Sequence, residues 1–516
     1  MTLAAAPLSS FDAPGIAYGA LLPIFVMLGA ALLGVLVEAF VPRESRYGAQ
    51  VALTLVATVV ALVCLILKRD DQTVTVGGAL AIDGFGQFTQ GLILVLALLS
   101  VMLMAERSVE GSSSIVAQAS LVAGSAADRR LLESTRVQTE IFPLTSFAVS
   151  GMLVFAVSNN LLLMFIALEV LSLPLYLMAG LARRRRLLSQ ESAVKYFLLG
   201  SFASAFFLYG LALLYGYANS VDLTAIFTAT NSTTRSDTLL FLGLALLLVG
   251  LLFKAGIAPF HSWTPDVYQG APTSVTAFFA TCTKVAAFAA ILRVLYVAFG
   301  STSWDWKPLL WAVAIVSMVV GAVFGLTQTD VKRVLAYSSI AHAGFILVGL
   351  IALSKDGLAS VMFYLVGYGF ATIAAFGLVT LVRDPSGEAT RISQWSGLAR
   401  KSPLVATLMT VLLLSMAGIP LTAGFTGKFY VFRAAYHAAP QLVIIALVTS
   451  AVTAFFYLRI VVLMYFAPLP ENAPDIAVPS PLTTVALTVG AVVTVLLGVV
   501  PQPIIDIATK AATLRG

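Results

Sequence analysis

The stretch LLFKAGIAPFHSWTPDVYQGAPT, residues 251–273, closes a long apolar run that begins near Leu239 and leads straight into another. Lys254 stands about fifteen residues into the first run, beside Gly256 and Pro259, with His261 just beyond. Pro259 lacks a backbone donor and frees a carbonyl near residue 255, so the helix breaks there and leaves polar backbone that water or side chains must satisfy. An amine placed at such a break has a route to exchange its proton: burial penalises its charge, and an ionised glutamate nearby compensates.

The composition supplies the setting. Of 516 residues, 59% are hydrophobic and 10% charged, with a mean hydropathy of +0.98; soluble domains usually carry about 25% charged residues. So little polar material cannot cover a water-facing globule, and the chain reads as an integral membrane protein. Its apolar runs are membrane-length and lack strand alternation, so the spans are helical and the fold class is all-α, polytopic. The net charge of +6 would suggest nucleic acid in a soluble protein. Here the basic residues gather in short loops between apolar runs, as orientation signals do. Cys64 and Cys282 both lie inside apolar runs and read as small buried hydrophobes. The N-terminal MTLAAAPLSSFDAPG has no basic region ahead of its first apolar run, so the first span is expected to insert and stay.

About 14 transmembrane helices are expected, near 17–41, 49–67, 88–105, 140–158, 160–181, 193–217, 238–260, 273–298, 308–328, 334–353, 357–383, 403–437, 441–467 and 481–503. The run at 403–437 holds Gly418, Pro420, Gly424 and Gly427 and reads as two half-helices. Counting alternate loops, sixteen basic residues, among them Arg183 to Arg186, fall on one side against seven on the other. That asymmetry places the richer loops in the cytoplasm and both termini outside. The segment 106–139 is the one sizeable polar insertion, a cytoplasmic loop with a short helix expected at 126–137. Residues 468–480, with three prolines, read as an extended connector. No stretch is long and polar enough for a second domain, so 1–516 is a single membrane domain.

KAGIAPFHSW at 254–263 and MAGIPLTAGFTGK at 416–428 echo each other, each with Ala-Gly-Ile followed by Pro. Counted in fives from the fourth span, they fall fourth in two sets, 140–298 and 308–467. An odd number of spans per set inverts the second against the first, as in transporters with two broken helices, here the seventh and twelfth, about a midplane path.

A charge at the bilayer centre costs about 2.5 to 3.5 kcal/mol on insertion scales, so each needs a partner, water or a function. Glu169 is the one charge in LLLMFIALEVLSLPLYLMAG, residues 161–180, and should face the bundle, as a static ion pair or a working acid. Lys284, in TSVTAFFATCTKVAAFAAILR (273–293), is near mid-depth and out of snorkelling range of either face. Lys428 follows the second break as Lys254 accompanies the first, either in the path or as an anchor at one interface. Lys195 is a relay member or a snorkelling residue. His261 is a proton-exchanging group or a cap at the break, and His342, in AYSSIAHAGFILVG (336–349), a relay group or polar packing. Glu140 reads as a helix-start residue.

One acid, four lysines and two histidines strung through separate spans lack the order of a nucleophilic triad or the ligand clustering of a metal, haem or iron-sulfur centre. Neither GxGxxG nor GxxxxGK[ST] occurs. The pattern supports proton passage rather than chemistry on an organic substrate.

YQGAPTSVTAFFATCTKVAAF (268–288) and AGIPLTAGFTGKFYVF (417–432) carry a resemblance that spans the chain. It resembles the antiporter-like membrane subunits of bacterial proton-pumping NADH-quinone oxidoreductase, respiratory complex I, in particular the N-subunit family. VYQGAP at 267–272 and a lysine at 428, where the M relatives typically have glutamate, favour the N type, as does FYLVGYGFATIAAF (363–376), which lacks the His/Lys pair common in L and M relatives. The resemblance implies two inverted five-helix units and a relay of Glu169, Lys195, Lys254, Lys284 and output-side Lys428, with His261 and His342 as bridging groups. It implies no cofactor in this chain; NADH, FMN, iron-sulfur clusters and quinone belong to partner subunits. Partners would be other complex I membrane subunits, including M and small K- and J-type subunits, in a bacterial inner membrane. Loop 106–139 is longer than the family leads one to expect. The competing readings are a subunit of a related cation/proton antiporter or membrane-bound hydrogenase, and a non-pumping scaffold.

Overall fold

The computed structural model describes residues 15–108, 138–182, 186–232, 237–384 and 387–515. Most of the 106–139 insertion, including the helix expected at 126–137, lies outside the described residues.

The described chain is a bundle of helices with short connections. The first three are α1 (Tyr18–Phe40), α2 (Arg43–Leu67) and α3 (Gly84–Met104). After the insertion come α4 (Ile141–Val157), α5 (Leu161–Ala179), α6 (Arg186–Ala218), a short α7 (Leu223–Ser232) and α8 (Asp237–Ala255). The chain then forms α9 (Trp263–Gly270) and α10 (Thr273–Ala298). Next are α11 (Ser303–Thr327), α12 (Val331–Ile351), α13 (Lys355–Leu381), α14 (Pro403–Ala417) and α15 (Ala423–Ala435). The described chain closes with α16 (Pro440–Phe466), α17 (Pro481–Val499) and α18 (Gln502–Ala511). Twelve helices among the described residues are long and apolar enough to cross a membrane, and α4 and α14 are shorter apolar helices.

Burial sorts these helices into two classes. α10 and α13 are wrapped by neighbours on every side, as an all-round apolar helix requires. α13 alone packs against α3, α10, α12, α14, α15, α17 and α18. α1, α2, α6 and α16 instead present Leu, Val and Phe outward, for example Phe202 and Phe455. Such apolar exteriors fit lipid and not water.

α10 contains two π-helical turns, Phe279–Thr283 and Val294–Ala298, which bracket Lys284 to Arg293. Arg293 is fully buried and donates to both carboxylate oxygens of Asp83, at 3.0 and 2.8 Å. Asp83 also caps α3 by accepting from Gly86 N and takes the backbone N–H of Arg515, while the Arg515 carbonyl accepts from Arg293. One ion pair therefore ties together α3, α10 and the segment after α18.

Small β elements close the ends. β1 (Thr73–Thr75) and β2 (Leu80–Ile82) form a hairpin in the register Thr73 to Ile82. β3 (Val382–Asp384) pairs with β4 (Gly387–Glu388) and, across the 468–480 connector, with β5 (Asp475–Ile476). The extended backbone expected there is present. α7, β1, β2, β4 and β5 fall outside the expected spans, α18 lies almost wholly beyond the last of them, β3 takes over the final residues of the span expected at 357–383, and α6 starts at Arg186, inside the basic segment, rather than near 193.

Candidate functional site

The two Ala-Gly-Ile sequences make the same structure. α8 ends at Gly256, which takes a left-handed φ of +68°, and α14 ends at Gly418, at +88°. At the first break Gly256 N donates to Phe253 O and Ile257 N to Leu252 O; at the second, Gly418 N donates to Ser415 O and Ile419 N to Leu414 O. Both are Schellman caps, which need a residue free to adopt positive φ followed by one that can fold back. Side chains satisfy further backbone at the first break: Trp263 Nε1 donates to Phe253 O at 2.9 Å, and Ser317 Oγ accepts from Ala258 N.

A lysine attends each cap. Lys254 lies in the last turn of α8, and Lys428, on α15, reaches across to donate to Met416 O and Ala417 O at 3.0 and 2.9 Å and to Ser450 Oγ at 2.8 Å. A cation at a helix C-terminus meets the negative end of the peptide dipoles and the unpaired carbonyls. Gly418 is needed twice over, since a Cβ there would stand 3.0 Å from Lys428 Cδ.

Lys254 is buried and donates to Ser172 Oγ at 2.8 Å and Tyr196 OH at 3.3 Å. Its ammonium lies 5.8 Å from the centre of the Tyr176 ring and 5.4 Å from that of Tyr196, which stacks on Trp263. Glu169, half-buried and one turn before Ser172 on α5, makes no ion pair with Lys254. Its buried Oε1 has no hydrogen-bond partner among the described residues. The Lys254 ammonium thus rests on neutral hydroxyls, Ser172 and Tyr196, rather than on the carboxylate.

Lys284, also buried, donates to Ser339 O at 2.7 Å. Tyr368 OH donates to Ser339 Oγ at 2.9 Å, and the Lys284 ammonium lies 5.4 Å from the Tyr368 ring centre. One turn away on each helix, His342 Nδ1 meets Tyr364 OH at 2.6 Å, and its Nε2 meets Tyr457 OH at 3.3 Å. Tyr457 in turn contacts Ser338 Oγ. A cavity of about 10 Å³, lined by His342, Tyr364, Tyr368 and Ser415, adjoins this group; that is about the space of one water. Ser339 with Tyr368 and His342 with Tyr364 thus form two buried polar pairs; no hydrogen bond among the described residues joins one pair to the other or either to Lys428.

Lys195 and His261 stand apart from this row. Lys195 is partly exposed and pairs with Glu191 at 2.6 Å and Asp266 at 2.7 Å; Asp266 also takes Arg333 at 2.7 Å. These contacts join α6, α9 and α12, and none reaches Lys254. His261 lies half-buried in the break with Nδ1 unpartnered among the described residues. No hydrogen bond joins Lys254 to Lys284. Thr264, Ser274 and Thr283, on α9 and α10, have buried hydroxyls without partners among the described residues, as groups that bond to ordered water do. Among the described residues no group of three His, Cys, Asp or Glu side chains is placed to hold a metal ion.

Sequence reasoning placed Ser338 and Ser339 with His342 in a polar notch but missed Ser172, Tyr196, Tyr364, Tyr368, Tyr457 and Ser450 beside the buried lysines and histidine. Tyr364 and Tyr368 carried a signal: two hydroxyls four apart lie on one helix face.

Residues 158–453 match the family of NADH:quinone oxidoreductase/Mrp antiporter transmembrane proteins. The chain is 59% identical to the NADH-quinone oxidoreductase subunit N of Saccharopolyspora erythraea, covering 97% of this chain and 98% of that one. It is 56% identical to the subunit N of Salinispora arenicola, over 98% and 99%. A chain of respiratory complex I from Thermus thermophilus, solved with bound aureothin, superposes with a TM-score of 0.76 at 35% identity, covering 94% of this chain and 99% of that one.

Proposed function

The chain belongs to the NADH:quinone oxidoreductase/Mrp antiporter family as a membrane subunit of the N type, and from that premise we propose how its buried groups move protons. It is a subunit of proton-translocating NADH-quinone oxidoreductase in a multi-pass bacterial membrane assembly. NADH, FMN, iron-sulfur and quinone chemistry belong to partner subunits, and M, K and J types are the neighbours this reading expects.

α8 with α9, and α14 with α15, are each one broken crossing. With α4 counted, the chain crosses fourteen times, in two inverted sets, 140–298 and 308–467, with both termini on the outer side. The shared Schellman caps and the attendant lysines support this pairing.

Lys254 receives protons from the inner side by way of the His261 break, with the Lys195 and Asp266 cluster at its mouth. Glu169 governs when Lys254 holds its proton: approach past Ser172 pairs the charges, and withdrawal leaves the ammonium on neutral hydroxyls. Losing the partner of a buried ion pair is worth about 3–5 kcal/mol, and moving one charge against 100 mV takes about 2.3 kcal/mol, so one such exchange suffices per proton. From Lys254 the proton passes to Lys284 and then along Ser339, Tyr368, His342 and Tyr364 to Lys428, which faces the outer side. Quinone chemistry elsewhere drives the switch through coupling between sites.

The observation that carries this reading is the two buried polar pairs near Lys284, Ser339 with Tyr368 and His342 with Tyr364, and the water-sized cavity that His342, Tyr364 and Tyr368 line. Lys254→Ala in the assembled complex should strongly lower protons moved per NADH while leaving subunit content unchanged. Wild-type pumping in that variant rejects the relay.

A further inference from the structure

Two cavities meet at the far end of α15. One, of about 410 Å³, has Lys428 and Ser450 in its lining. The other, of about 600 Å³, lies between the start of α13, the end of α15 and α18, with Asp356 and Gln502 in its wall. Arg433 and His437 line both. They stand four residues apart, on the same side of the helical path as it leaves α15. Both are exposed, and the His437 ring rests edge-on against Tyr436, with centroids 5.5 Å apart. The Arg433 guanidinium makes no hydrogen bond or ion pair among the described residues and stands where the cavities join, sharing the wall of the larger one with Asp356.

We propose that this junction is the proton outlet and its filter: His437 carries the proton out of the Lys428 cavity, and Arg433 holds alkali cations back. The proposal rests on the relay reading above. A hydrated sodium or potassium ion entering the junction meets the guanidinium charge, the device by which pores bar cations. A proton need not pass as a free cation, because an imidazole accepts it on one nitrogen and releases it from the other. The step is balanced: Lys428 gives up one proton, through water, to His437, and His437 gives one to the outer water.

The test uses the whole complex in proteoliposomes, with NADH added outside so that the lumen is the outer side. His437→Gln should lower protons delivered per NADH by this subunit's share, and imidazole loaded in the lumen should restore them. Arg433→Gln should lower about tenfold the lumenal sodium concentration that slows pumping by half, the factor expected when a unit charge felt at about 10 Å through an effective dielectric of about 20 no longer keeps the cation from the Lys428 cavity, while Arg433→Lys keeps the wild-type concentration. Normal pumping by His437→Gln, a loss that imidazole does not restore, or an unchanged sodium response in Arg433→Gln overturns the proposal. Lys428→Ala, run in parallel, separates the two failures. Reduced pumping there with normal pumping in His437→Gln sinks the outlet alone, whereas normal pumping in both sinks the relay reading.

Discussion

Tyr364 has one polar atom, and that atom reaches His342 Nδ1 at 2.6 Å. Tyr364→Phe keeps the ring and its packing but removes the link. Proton transfer between Lys284 and Lys428 should slow about a hundredfold, the low end of what a positioned acid or base contributes. Protons per NADH should fall while NADH oxidation in uncoupled vesicles persists. Tyr209→Phe, on the exposed face of α6, should change neither. At this scale the burial of Lys254, Lys284 and Lys428 was legible in the sequence, because a lysine in an apolar run is costly wherever it points. The hydroxyls were not: tyrosine and serine are ordinary in such helices, and their meaning depends on which faces α12, α13 and α16 turn to one another. Lys195 was ambiguous for the same reason, since Asp266, its partner, lies 71 residues away.

Between elements, the breaks were the most readable feature. Ala-Gly-Ile specifies a left-handed glycine and a fold-back residue from local chemistry alone, and both copies form the same cap. α7, α18 and the β-strands were illegible because each is short, and β5 also takes its shape from a distant partner, β3. One contact between elements responds to acid. Glu106, just past α3, accepts from Ser480 N, at the cap of α17, at 2.8 Å. Burial pushes the Glu106 carboxyl up, but hydrogen bonds from Ser108, Thr483 and Ser480 outweigh it and bring it down to about 2. A carboxylate depressed on folding adds stability that is complete above its unfolded value, 4.5, and fades as pH falls toward about 2. The thermal midpoint of the purified complex should therefore drop through that window, and Glu106→Gln should flatten the drop while lowering the midpoint at neutral pH. An unchanged acid profile in Glu106→Gln would refute the contact's contribution.

For the whole molecule, the Asp83 and Arg293 pair is the largest concentrated commitment of charge to architecture, with both side chains fully shielded. Arg293→Ala strands a carboxylate at the meeting of α3, α10 and the Arg515 segment, a loss of about 3–5 kcal/mol. Detergent-solubilised complex should contain far less of this subunit. Arg293→Met combined with Asp83→Leu, which removes both charges, should recover part of that loss; a double variant worse than the single would contradict this account. Nothing in the sequence joined positions 83, 293 and 515, since no local period links them. Ser339, His342, Tyr364 and Tyr368 are likewise buried away from bulk water, and the route proposed through them has a property of its own. By microscopic reversibility a proton route through hydroxyls and imidazole carries traffic either way, so the proposed conduit has no built-in rectifier. A sufficiently steep electrochemical gradient would push traffic backward along the same atoms, turning the subunit from a consumer of redox energy into a supplier of it.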